Sequence, residues 1–264
     1  MSEPKSCWLS ELTWEEVDQL LADGPPVVLL PVGSTEQHGP HLPLGTDTYV
    51  ALDLVTAVAA GTRVVVAPPL WYGLSPHHMV LPGSITVRPE VLLELAYDIV
   101  ASLAAHGFDQ FIMVNGHRIA NLPWLQLVAE RVHRELPECR VVIFDPAYMS
   151  KEIAAELAFG PVGHAEEIET SHLLAARPEL VRMERAVDHP APHRPLYHVD
   201  PRQEQDTLCY VPTPPTAARR QAHQTRGVTG RPTLATAEKG RRYREHLVRR
   251  LLQVIEQLSS SRGR

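Results

Sequence analysis

The sequence predicts an α/β fold around a mostly parallel sheet. Three observations carry this prediction. Four short, continuously apolar runs read as strands covered on both faces. Helical patterns separate them, the alternation that a parallel sheet with right-handed crossovers requires. Compact polar clusters follow three of the runs directly, where ligand sites of open α/β sheets gather.

Taken in chain order, Thr13-Trp-Glu-Glu16 is a capping box that opens a helix continued by Val17, Leu20 and Leu21. Gly24-Pro25-Pro26 stops it, and Val27–Val32 is the first apolar run. The others are Val64–Pro68, Phe111–Val114 and Val141–Phe144, with helical patterns between them at about 48–60, 89–106 and 122–136. A further helix is expected over 166–176, and a long basic one from about 233 to 258. Prolines thicken at 189–215, so about 186–232 reads as an irregular excursion from a single domain spanning 1–264. The Ser259–Arg264 tail reads as frayed.

Composition removes several functions. The net charge of −6, from 31 acids and 25 bases, argues against a nucleic-acid partner, because phosphate binding needs a basic surface. No apolar run reaches the ~18–20 residues needed to span a bilayer. The opening MSEPKSCWLSELTWEE has no apolar secretory segment. The three cysteines, Cys7, Cys139 and Cys209, lack CxxC spacing, so neither a disulfide framework nor a zinc ribbon is indicated. The expectation is a cytoplasmic protein acting on a small molecule, with no membrane partner.

The polar clusters carry the chemistry. Glu36 and His38 are two apart, so in extended backbone their side chains leave on the same side. Asp47 follows after a Gly/Pro-rich bend that can return it to the same place. Asn115-Gly-His117 adds an imidazole from another strand end, and Gly163-His-Ala-Glu-Glu-Ile-Glu169 adds His164 and several acids. Two histidines and three carboxylates without a thiolate form a nitrogen/oxygen ligand field suited to Zn²⁺, Mn²⁺ or Fe²⁺. Five ligands exceed the needs of one catalytic ion and suit two ions sharing a carboxylate.

The stretch PVGSTEQHGPHLPLGTD, then NGH, HAEEIETS and GVTGRPTLATAEKG in that order, resembles the creatininase (creatinine amidohydrolase) family from about residue 10 to 255. The resemblance implies a three-layer α/β sandwich, two divalent metal ions per chain and hydrolysis of non-peptide C–N bonds. It also implies a homo-oligomer, often a hexamer. Carried over by position, the metal ligands are Glu36, His38, Asp47 as the bridge, His117 and Glu169, with His164 as proton shuttle. Glu36 also counts among the catalytic residues. The sequence departs from the family's spelling at two places. Ile119 stands where creatininase has an acidic ligand, within NGHRIAN rather than NGHGGN, and Glu166 stands at a normally small position of the HAGE-type motif.

Plainer readings stand beside these. Glu36, His38 and Asp47 also fit a metal-free polar network at a strand end. His41 fits a structural hydrogen bond in a tight turn, and His164 fits a helix cap. Asn115 and Asn121 fit loop-holding roles. Arg118 is expected either to bind an anionic group of the substrate or to pair with Glu166. Tyr72 and His78, on the 71–84 loop, are the other candidate substrate contacts. Glu130-x-x-His133 and Glu169-x-x-His172 have di-iron spacing, but that reading needs a helical bundle, which four apolar strands contradict. The expected activity is a metal-dependent amidohydrolase that opens a cyclic or linear amide through a metal-bridged hydroxide, with zinc first among the metals. The alternatives are a deformylase or peptide-trimming hydrolase in a biosynthetic pathway, a ring-opening hydrolase of a cyclic ketone, or a non-catalytic oligomeric member.

Overall fold

The structure is a computed structural model that describes residues 6–190, 197–198, 207–208 and 215–260. Cys209, most of the proline-rich stretch and the last four residues of the tail lie outside the described residues.

Four strands form one all-parallel sheet in the order β2-β1-β3-β4: β1 Val27–Val32, β2 Val64–Val66, β3 Gln110–Asn115 and β4 Arg140–Phe144. Every residue of β1, β2 and β3 is buried, which is why these strands are apolar without alternation. Strand geometry still sorts the side chains. Val27 and Leu29 enter one core with α2 (Thr46–Ala59) and α9 (Ala237–Ser260). Val28, Leu30 and Val32 enter the other with α3 (Pro89–Ala105) and α4 (Leu122–Glu135). Helices on both faces of a sheet make the three-layer sandwich.

Topology positions the site. The chain leaves β1 through α2 to reach β2 on one side, while β3 pairs with β1 on the other side. The strand order therefore reverses between β1 and β3, and a crevice opens beyond their carboxyl ends. Glu36 and His38 lie just past β1, and His117 lies just past β3.

The first helix, α1 (Trp14–Ala22), carries the expected capping box: the Thr13 hydroxyl accepts from Glu16 N–H and the Glu16 carboxylate from Thr13 N–H. Two short helices after β4, α5 (Pro146–Met149) and α6 (Lys151–Glu156), lead to α7 (Glu167–Ala176). The stretch read as irregular contains a regular element. Tyr197–His198 (β5) pairs antiparallel with Thr207–Leu208 (β6), and α8 (Pro215–Thr225) is a helix of 11 residues. Its single proline, Pro215, stands at the start rather than at a break, since proline is suited to the first helical position, and the following TAARRQA is rich in helix formers. Among the described residues no helix is long and apolar enough to cross a membrane.

Candidate metal centre

Glycines let the segments meet. A Cβ on Gly116 would lie 1.8 Å from the Asp47 carbonyl oxygen, so the NGH turn needs glycine for the start of α2 to approach β3. Gly33 does the same at the end of β1, where a Cβ would lie 2.2 Å from Thr48 Oγ1. This close packing aims Asp47, in the first turn of α2, back at the strand ends.

Asp47 stands between two groups. Its Oδ2 is 3.1 Å from His117 Nδ1, and His117 Nε2 is 3.3 Å from Glu36 Oε2. Its Oδ1 is 3.2 Å from His38 Nε2, which lies 3.8 Å from Glu169 Oε2. Glu36, Asp47 and His117 form one set of ligand atoms spaced to hold an ion, His38, His164 and Glu169 form a second, and Glu36, His78 and His164 a third. All five expected ligands are thus brought together around Asp47, and every one is buried.

Electrostatics point the same way. Burial pushes the Glu36 carboxyl up to about 7. Burial alone would lower the two imidazoles, yet Asp47, Glu169 and Glu36 drive His38 up to about 10. Glu36 and Asp47 likewise drive His117 up to about 9. Those imidazolium charges in turn hold Asp47 well below the usual carboxylate range, against its own burial. Three buried carboxylates therefore demand positive charge. Glu36 Oε1, His38 Nε2 and Asp47 Oδ2 have no hydrogen-bond partner although buried. Orphaned nitrogen and oxygen donors in such a cluster fit divalent ions, which would replace the protons.

His164 reaches the same centre. Burial pushes its imidazole down to about 3, so the ring is neutral. Its Nε2 lies 2.5 Å from the Gln37 carbonyl oxygen and its Nδ1 3.6 Å from Glu36 Oε1. Backbone bonds in both directions with Thr229, within Gly227-Val-Thr-Gly230, hold it there. It does not cap α7; Glu166 is the N-cap, its carboxylate accepting from Ile168 N–H and from Glu169 N–H at 3.3 Å.

Arg118 is buried and turned toward acids. Its Nη2 pairs with Glu166 Oε1 and lies 2.6 Å from Glu169 Oε1. The two departures from the family's spelling thus touch each other. Glu169 is held at both oxygens, since Oε2 accepts from Ala165 N–H at 2.7 Å. Ile119 takes a left-handed φ of 65°, clamped by Asp145 Oδ2, which accepts its N–H at 2.8 Å and an Asn115 Nδ2–H at 2.8 Å. Asn121 accepts from Trp124 Nε1 and Leu74 N–H and donates to Gly33 O, so both asparagines hold loops. His41 Nε2 meets Thr170 Oγ1 at 3.0 Å, a structural contact. His78 Nε2 is 3.3 Å from Glu36 Oε1, and Tyr72 is half exposed on the 71–84 loop. His133 is exposed and His172 pairs with Asp53, so neither Glu-x-x-His spacing contributes a histidine to this centre.

Sequence reasoning overlooked Gln37, Ser34 and Ser75. The Ser34 and Ser75 hydroxyls are 2.7 Å apart beside Glu36 and His117. Gln37 stands between two expected ligands in EQH, and that position is the signal the sequence carries for it.

The family profile described as creatininase (creatinine amidohydrolase) matches residues 10–255. The 3-dehydro-scyllo-inosose hydrolase of Thermotoga maritima is 28% identical over 96% of this chain and 86% of its own. The mycofactocin precursor peptide peptidase of Mycobacterium ulcerans is 33% identical over 82% of this chain and 79% of its own. Among solved structures, a mutant creatininase of the Zn–Zn type superposes with a TM-score of 0.82 at 28% identity, covering 97% of this chain and 99% of its own.

Proposed function

The chain belongs to the creatininase family of hydrolases, and from that premise we propose that it is a metal-dependent amidohydrolase cleaving a non-peptide C–N bond of a cyclic or linear amide. The observation that carries this reading is the convergence of Glu36, His38, Asp47, His117 and Glu169, with Asp47 facing His38 by one carboxylate oxygen and His117 by the other, and with ligand-atom sets spaced to hold an ion on both sides of it. We take them to hold two divalent ions, zinc by likeness to the Zn–Zn creatininase, with manganese or iron as chemically suited substitutes. Bound there, such ions would supply Lewis acidity and make water a competent nucleophile near neutral pH.

The chain's own groups do the rest. The Gln37 carbonyl can only accept, so His164 carries its proton on Nε2 and presents a lone pair at Nδ1. That nitrogen takes the proton of the attacking water and returns it to the leaving nitrogen. Arg118 keeps Glu169 ionised and oriented. Tyr72 and His78, on the loop over the crevice, are the groups we assign to the substrate. A homo-oligomer in the cytoplasm belongs to the same proposal.

The substrates named for the relatives, an inosose and a precursor peptide, keep ring opening and peptide trimming in view beside an amide. The test is a panel of creatinine, other lactams, formamides, short peptides and cyclic polyol ketones, run on metal-loaded protein and on His164→Gln. The proposal expects an amide among the turned-over compounds, and a kcat lowered ~10²–10⁴-fold in the variant. Turnover of ketones alone, or an inert metal-loaded protein, overturns it.

A further inference from the structure

Gln37 sits between two proposed ligands, and two of its side-chain contacts are with backbone groups that cannot change roles. Its Oε1 accepts the Gly39 N–H at 3.0 Å, and its Nε2 donates to the Gly227 carbonyl at 3.1 Å. A backbone N–H only donates and a carbonyl only accepts, so these two contacts settle which end of the amide is nitrogen. The second Nε2 hydrogen then goes to His78 Nδ1, at 2.9 Å. That nitrogen must be a lone pair, because two N–H groups cannot face each other at this distance. His78 is therefore the neutral ring with its proton on Nε2, the nitrogen 3.3 Å from Glu36 Oε1.

The backbone of the same residue sets the other ring. His164 gives its Nε2–H to the Gln37 carbonyl and turns Nδ1 toward Glu36 Oε1, 3.6 Å away. The two rings are stacked, centroids 3.9 Å apart. Both carry the proton on Nε2, but they face Glu36 by opposite nitrogens.

We propose that Gln37 is a positioning residue that fixes the orientation and tautomer of His78 and His164, so that one stack of rings presents a proton donor and a proton acceptor to the same point beside Glu36. In hydrolysis the two faces have separate uses. As water forms its C–O bond, its proton passes to His164 Nδ1, and it moves to the nitrogen as the C–N bond breaks. His78 keeps its proton throughout and donates a hydrogen bond to the carbonyl oxygen as charge builds there. The seat for Gln37 is built for it: Gly227 has a φ of 79°, and a Cβ there would lie 1.9 Å from Gln37 Oε1.

The purpose assigned here rests on the hydrolase reading, but the tautomers can be read without turnover. The experiment is ¹⁵N NMR of histidine-labelled, Zn²⁺-loaded protein, with the two rings assigned from His78→Asn and His164→Asn. Wild type is expected to show both rings protonated on Nε2 alone. In Gln37→Glu the carboxylate still accepts from Gly39 but can no longer donate, so the His78 proton moves to Nδ1. His164, held by a backbone carbonyl, stays as it was. A His78 ring protonated on Nδ1 in wild type, or unmoved in Gln37→Glu, overturns the proposal; the wild-type spectrum decides it even if the variant does not fold. Failure to bind zinc would count against the hydrolase reading alone, because the same spectra can be taken metal-free.

Discussion

Arg118 is a fully charged group buried beside two carboxylates, one of them a candidate metal ligand. Burial by itself works against the guanidinium, but Glu169 and Glu166 hold it more firmly protonated than in water. Removing it leaves those carboxylates uncompensated in a buried setting, which typically costs about 3–5 kcal/mol. Arg118→Met is therefore expected to lower stability by that order in urea unfolding. Adding Glu166→Gln should recover part of the loss, because the second change removes one of the two stranded charges. Additive losses would show that the pair is not coupled. At this scale the cluster of acids and imidazoles was legible in the sequence, because EQH and NGH put such groups at strand ends. The partner of Arg118 was one of two open readings, since 48 residues separate it from Glu166.

Helices α2, α7 and α9 are locked by one partly buried carboxylate. Asp53 Oδ2 accepts from His172 Nε2 at 3.0 Å and from Arg244 Nε at 2.7 Å. A Cβ on Gly240 of α9 would lie 1.8 Å from the Ser171 carbonyl oxygen of α7, so these helices touch backbone to backbone. Burial pushes Asp53 up, but its hydrogen bonds with His172 and Arg244 outweigh this and hold its pKa below 3.8. A carboxylate depressed on folding stabilises above its unfolded pKa, and the stabilisation is lost as pH falls through the folded value. Asp53→Asn is expected to cost roughly 1.5–3 kcal/mol at neutral pH. Its deficit in urea midpoint should shrink steadily as pH falls below about 4; a deficit that does not change with pH contradicts the assignment. Apolar periodicity showed where these helices run, and it placed α9 correctly. It does not show that within the basic last helix Arg244 reaches across to Asp53 and Lys239 to Glu167. Periodicity reports which face is apolar, not which long cation crosses to another helix. The α8 helix was hidden for a related reason: proline counts as a breaker unless its position in the helix is known.

At the scale of the molecule, the α/β class and the parallel sheet follow from alternating apolar runs and helical patterns, and the three-layer sandwich from the family's resemblance. The site's location follows from strand order, which no local pattern contains. Once β1 lies between β2 and β3, the segments after β1 and β3 must share one rim, and α2 brings Asp47 into it. The contribution of Gly227–Gly230 came from the far end of the chain, 190 residues from Gln37, and only the fold reveals it. The central claim is that this rim is a dinuclear metal centre. Elemental analysis of protein purified without chelator or histidine tag, with Asp47→Asn alongside, tests it most directly. The account predicts about two divalent ions per chain, with both weakened in the variant because Asp47 faces His38 with one carboxylate oxygen and His117 with the other. A wild-type protein that holds none, even after incubation with Zn²⁺ or Mn²⁺, would contradict it.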